Sequence, residues 1–369
     1  MILPTGMTIL TRAAGAHRIG RVMAIIGVPM LIGPIVGPIL GGWLVTDVDW
    51  RWIFFINLPV GVIALIYAFR VLPRDVSNPG EPLDFVDFLL LSPGLAILIY
   101  GLAETSSAGG FGHAKVIIPL LIGVALIAAF VWHALSVKHP LIDLRLFSKR
   151  AFTTSSISLA LMVIAIFGSF LLLPLYFQEV RGQSALMSGL LLAPQGLGSM
   201  LMMPIAGNLA DKTGSGRIAP FGLVIIAITM VALTRLGADT SYVTICIVLF
   251  FNGIGMGLTM MPIFTGALQS VAGPLIARAS TMLNVIQQTA ASIGTAVLSV
   301  VLASALGGAN ESIKSLTPAQ LKLAAPHMAS GFDHTFWWAF AFVVIAFIAS
   351  LTLPKSVPEN AAGGAMMMG

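Results

Sequence analysis

Charge is what this chain has least of. Asp, Glu, Lys and Arg make up only 9% of its 369 residues, against about a quarter in an average soluble domain. A separate water-soluble domain therefore has no room. Cysteine is nearly absent: the single Cys246 lies in an apolar run, which excludes a disulfide framework and a thiolate metal site. No serine or cysteine stands in a recognisable nucleophile setting. Gly253, Gly255 and Gly257 fall inside an apolar stretch, where they read as helix packing and not as a dinucleotide loop. His133 and His139 have no further ligands beside them in the sequence, so no metal centre is expected. The net charge of +5 would suit nucleic acid, but the basic residues are scattered through short segments between apolar runs, as membrane topology requires.

What is abundant is apolar sequence, 57% of the chain. Ten runs are long enough to cross a bilayer: 22–46, 52–72, 85–103, 115–135, 152–177, 186–209, 218–236, 242–269, 281–306 and 333–353. The expected fold is an all-α polytopic membrane protein with about ten complete transmembrane helices. If the basic segment at Arg12–Arg21 is cytoplasmic, alternation places thirteen Lys and Arg inside and six outside. That bias also puts the C-terminus in the cytoplasm. Residues 307–332 form a long outer connection with a short helix near 318–324. Residues 356–369, ending in a Gly/Ala/Met-rich stretch, are expected to be disordered.

Two motifs carry more information. Residues 33–42 place Gly33, Gly37, Pro38, Gly41 and Gly42 inside the first span. So much proline and glycine would break a helix in water. In a bilayer, neighbouring helices re-satisfy the freed backbone groups. Gly33, Gly37 and Gly41 recur every four residues and form a smooth stripe open to close approach by another helix. The second motif, Gly207-Asn208-Leu209-Ala210-Asp211-Lys212-Thr213-Gly214-Ser215-Gly216-Arg217, reads as a sharp turn between spans. Its glycines permit the turn, and Asp211 beside Lys212 and Arg217 can form charge pairs that latch one face.

These stretches resemble the major facilitator superfamily. Residues 33–42 look like its antiporter motif, with Ala24 where the family often has a further glycine. Trp50-Arg51-Trp52-Ile53-Phe54-Phe55-Ile56-Asn57-Leu58-Pro59-Val60-Gly61 resembles the start of the sixth helix in the fourteen-span drug:proton antiporters. The turn at 207–217 is similar to the loop after the second helix of each bundle, with Arg217 spaced slightly differently. Lys138-His139-Pro140-Leu141-Ile142-Asp143-Leu144-Arg145-Leu146-Phe147 resembles the entry to the second bundle. The resemblance implies that 1–75 is the rest of an N-terminal bundle, 76–140 two extra central helices and 141–355 a six-helix C-terminal bundle. It places Met1 within the family's fourth helix.

The implied function is proton-coupled multidrug efflux by alternating access, exporting amphipathic or cationic drugs across the plasma (inner) membrane. The proton gradient supplies the energy, no cofactor is expected, and a periplasmic adaptor is a possible partner in a Gram-negative envelope. Two alternatives stand beside it: a transport-inactive truncated membrane protein, or an exporter of a specific metabolite or siderophore. Each of the fourteen acidic residues lies in a loop or near a span end. Asp84 and Asp87 are the nearest candidates for a proton carrier, and the family's coupling acid belongs to a first helix that this sequence does not contain. Gln178, Gln195, Asn252, Asn284, Gln287 and Gln288 are the uncharged polar groups in or beside the spans. They either line a substrate path or bond neighbouring helices.

Overall fold

The computed structural model describes residues 33, 36–71, 84–108, 112–137, 140, 142–271, 275–306 and 318–353. Most of the first expected span, the segment 307–317 and the tail lie outside them. Ten helices follow in order: α1 (Val36–Val48), α2 (Trp52–Val71), α3 (Phe85–Ala108), α4 (Ala114–Ser136), α5 (Arg150–Leu175), α6 (Ala185–Thr213), α7 (Ser215–Leu233), α8 (Tyr242–Gln269), α9 (Ile276–Ala305) and α10 (Pro318–Ser350). A 3-10 turn, Leu144–Ser148, leads into α5. Among the described residues, nine helices are long and apolar enough to cross a membrane, and α1 is shorter. A helix satisfies its own backbone, which is why apolar sequence in lipid takes this form.

Local chemistry sets the breaks. Ser184 opens α6 by accepting a hydrogen bond from the Met187 amide at 3.1 Å. Pro174 near the end of α5 cannot donate to the helix ladder, and the chain continues as a π-helical turn, Tyr176–Val180. Asp143 caps the 3-10 turn, accepting from the Arg145 amide at 3.1 Å.

Helices α5 to α10 pack as one bundle with α5 at its centre, against α8, α9 and α10. Of the candidate spans, α5 has the largest buried share, 61% of its most apolar window. Small residues let it sit there: Ser155, Ser156, Ser158, Gly168 and Ser169 are all buried. A side chain on Gly168 would overlap Leu298 of α9, and one on Gly294 would meet the Ile164 backbone of α5. The glycines of α8 divide by helical geometry. Gly253 and Gly257 share a face and press on α6 at Gln195, Ser199 and Met203, while Gly255 points about 200° away, onto α7 at Gly222 and Ile226. Helices α3 and α4 form a tight hairpin in which a side chain on Gly123 would overlap the Leu98 backbone, and α3 also packs on α9.

The last helix corrects an expectation. It runs unbroken from Pro318, and its apolar span starts at Ala325, eight residues ahead of the start at Asp333 expected from hydropathy. Pro326 did not stop it, and Ala325, Met328, Ala329 and Phe332 are buried on its inner face.

Candidate functional site

The antiporter-like segment meets the bundle at α6. Gly42 is buried, and a methyl group there would overlap the backbone of Ala185 and Leu186; on Gly189 it would overlap the carbonyl of Pro38. The Leu186 amide donates to Thr46 Oγ1 at 3.3 Å. Two glycines, one from each helix, thus bring the backbones together. Gly33, Gly37 and Gly41 face elsewhere: among the described residues nothing lies within 4 Å of a side chain built on them. The contact face is therefore offset from the four-residue stripe by one position.

At one end of the bundle, the 207–217 motif is more helical than its composition suggests. α6 continues to Thr213, and a single residue, Gly214, separates it from α7. Gly214 has φ +85°, a conformation that L side chains rarely adopt. Gly207 is within α6, and a methyl group built on it would stand 3.8 Å from Met261 Cγ. Arg217 sits exposed in the first turn of α7. The side chains of Asp211 and Lys212 lie outside the described residues.

The polar residues inside the spans separate into two groups. Gln195 and Asn252 are buried and joined: Gln195 Nε2 donates to Asn252 Oδ1 at 2.8 Å, and Asn252 Nδ2 donates to Thr229 Oγ1 at 2.8 Å. This chain ties α6, α8 and α7 together, while Gln195 Oε1 is buried without a partner. Asn284, Gln287 and Gln288 lie together on α9. Asn284 donates to the Ser280 carbonyl of its own helix at 2.9 Å, Gln287 is half-buried and Gln288 exposed. Gln178 is exposed on the π-helical turn.

Three contacts between segments distant in sequence were not visible in it. His133 Nδ1 of α4 lies 2.9 Å from Asp87 Oδ1 and 3.8 Å from Asp84 Oδ2 of the α3 start. Asp84 Oδ1 accepts from the Val86 and Asp87 amides, and Asp87 is fully buried. These groups have the donor set and spacing of a small cation site, their ligand atoms lying within 4.8 Å of one another. The expectation that His133 lacks further ligands is corrected, because hairpin packing supplies the carboxylates of Asp87, 46 residues away, and of Asp84. At the end of the bundle that carries Gly214, Arg278 of α9 stands 3.9 Å from Asp143, and Lys149 Nζ donates to the Ser270 carbonyl at 3.5 Å. The segment leading into α5 is thereby fastened to the ends of α8 and α9.

At the opposite end, Arg181 donates to the Thr240 carbonyl at 2.8 Å and lies over the Tyr242 ring. Burial works against its charge, but hydrogen bonds with the Tyr242 and Tyr176 side chains outweigh this and hold its pKa above the usual value. Tyr176, fully buried, donates to the Gly237 carbonyl at 2.8 Å. Asp333 is inside the α10 span and not at its edge, which corrects the reading that every carboxylate lies in a loop or at a span end.

Comparison with known proteins agrees with this architecture. The Multidrug resistance protein B homolog of Mycobacterium tuberculosis (strain ATCC 25618 / H37Rv) is 46% identical over 305 residues, 82% of this chain and 56% of that protein. The chain thus spans little more than half the length of that relative. The Lincomycin resistance protein LmrB of Listeria monocytogenes is 28% identical over 357 residues, 96% of this chain and 75% of that protein. In the solved structures, a bacterial homolog of the human lysosomal transporter Spinster has the same fold at 15% identity. Its TM-score is 0.54, with 94% of this chain and 72% of that one covered. Residues 1–295 match the Major Facilitator Superfamily, most of the sequence. With its bundle of apolar helices, the chain is a multi-pass membrane protein and belongs to the Major Facilitator Superfamily.

Proposed function

We propose that this chain works in proton-coupled multidrug efflux, moving amphipathic or cationic drugs out of the cell by alternating access. The observation that carries the reading is the seam between α1 and α6. The proline- and glycine-rich helix lies backbone to backbone against the C-terminal bundle at Pro38–Gly189 and Gly42–Ala185. Such a contact has no side chains to compress, so it opens as a rigid seam rather than yielding gradually. The names of the relatives, which include multidrug resistance and multidrug export proteins, support the same reading.

In this proposal 1–75 completes an N-terminal bundle, 76–140 supplies two central helices and 141–355 forms the moving C-terminal bundle. The excess of Lys and Arg on one side supports a plasma-membrane orientation with the C-terminus inside. Gly207, Asp211, Lys212, Gly214 and Arg217 then form a cytoplasmic gate. Asn284, Gln287, Gln288 and Gln178 lie along the substrate path, whereas Gln195 and Asn252 hold helices together. The cell's proton gradient drives the cycle without a bound cofactor, and a periplasmic adaptor is a partner where the envelope has an outer membrane. Cells expressing the protein should accumulate less of a fluorescent organic cation, and an uncoupler should abolish the difference. Unchanged accumulation across a broad panel of dyes would refute the proposal.

A further inference from the structure

Asp333 lies eight residues inside the apolar span of α10, which runs 26 residues from Ala325 to Ser350. At the usual rise this is about 12 Å along the axis of a span about 39 Å long. Centred on a hydrocarbon core of about 30 Å, the span holds Asp333 about 7 Å below the boundary. Its Oδ1 is sealed from solvent and has no hydrogen-bond partner. An ionised carboxylate there would leave that oxygen without a hydrogen bond in an apolar surround, which disfavours the charged form.

Among the described residues, the neighbouring elements bring no cation into contact with Asp333. Tyr176, on the π-helical turn, packs its ring against Phe332 at 5.8 Å and is within electrostatic reach of Asp333. Its hydroxyl proton is already given to Gly237. Arg181 is engaged by the Thr240 carbonyl and by the Tyr242 and Tyr176 side chains. Glu179, on the same turn, is half-buried and brings the same sign of charge as Asp333. Each of α5, α7 and α9 carries a single titratable residue, Arg150, Arg217 and Arg278, and each of these starts its helix at the far end. Arg235, beyond α7, lines an open cavity between α7 and α8. On α10 itself, His327 and His334 are exposed.

We propose that Asp333 is a proton-binding site: a carboxylate oxygen takes one proton, forming an O–H bond and cancelling one negative charge, and returns it to water when α10 parts from the Tyr176–Val180 turn. Its use in transport rests on the efflux reading above. Its chemistry does not, so two measurements separate them. In nanodiscs, the full chain should show an infrared carboxylic C=O band at neutral pH that is absent from Asp333→Asn. A band unaffected by the substitution overturns the proposal. Where Asp333→Asn does not fold, Asp333→Glu should shift the band, and an unshifted band overturns it equally. In proteoliposomes, gradient-driven movement of ethidium should fall about tenfold in Asp333→Asn while counterflow exchange persists, as expected when an intramembrane proton relay is lost. Equal loss of both, or no loss of either, overturns the transport role. A wild-type chain that moves no dye defeats the efflux reading and leaves the infrared band to decide on Asp333.

Discussion

Gly189 of α6 lies against the carbonyl of Pro38 of α1 with no room for a methyl group between them. The same is true of Gly42 against Ala185. Gly189→Val and Gly42→Val are each expected to cost about 1–3 kcal/mol of overpacking. Dye efflux should fall while the protein still inserts. Efflux and membrane-fraction abundance, measured together, check this; wild-type efflux at normal abundance would remove the seam from the mechanism.

Two glycines of the 207–217 motif should respond with opposite signs. Gly214→Ala places a side chain at φ +85° and is expected to destabilise by about 1–3 kcal/mol. Gly207→Ala sits in a helix with its nearest neighbour 3.8 Å away and should stabilise by roughly 0.5–1 kcal/mol. Thermal unfolding in one detergent reads both, and equal shifts would refute the single-residue turn.

The Gln195–Asn252–Thr229 chain should behave as a unit. In membranes such hydrogen bonds contribute about 0.6–2 kcal/mol. A double-mutant cycle on Gln195→Leu and Asn252→Leu should give a coupling of that size. Strict additivity would mean that the two amides do not interact.

The α3–α4 hairpin should depend on Asp87. Replacing Asp87 by Ala removes the partner 2.9 Å from His133 and is expected to cost about 1.5–3 kcal/mol. Asp84→Ala, whose carboxylate is 3.8 Å away, should lose mainly its helix cap, about 1 kcal/mol. Denaturation of the two variants side by side decides, and a larger loss in Asp84→Ala would reverse the assignment.

Nine of the ten expected spans have a counterpart among the described helices, because unbroken apolar sequence in a bilayer has essentially one solution. The packing role of Gly253, Gly255 and Gly257 was also legible, since small residues inside an apolar run have no other use than close approach. The start of α10 was not. Pro326 and the polar residues around it dilute the hydropathy, and only burial of Met328 and Phe332 against the bundle reveals a continuous helix. The same packing moved Asp333 from the edge of a span to its interior.

By itself, then, the sequence determined an all-α membrane protein, nine of its spans and the motif that points to its superfamily. Each of these follows from local composition and spacing. Only the tertiary structure decided that Gly42 faces α6 while Gly33, Gly37 and Gly41 do not, and that Gln195 binds Asn252 instead of lying open. It alone brought His133 to Asp87 and Arg278 to Asp143. Those outcomes depend on how helices rotate about their axes when they pack. That rotation is set by many small contacts between residues far apart in the chain.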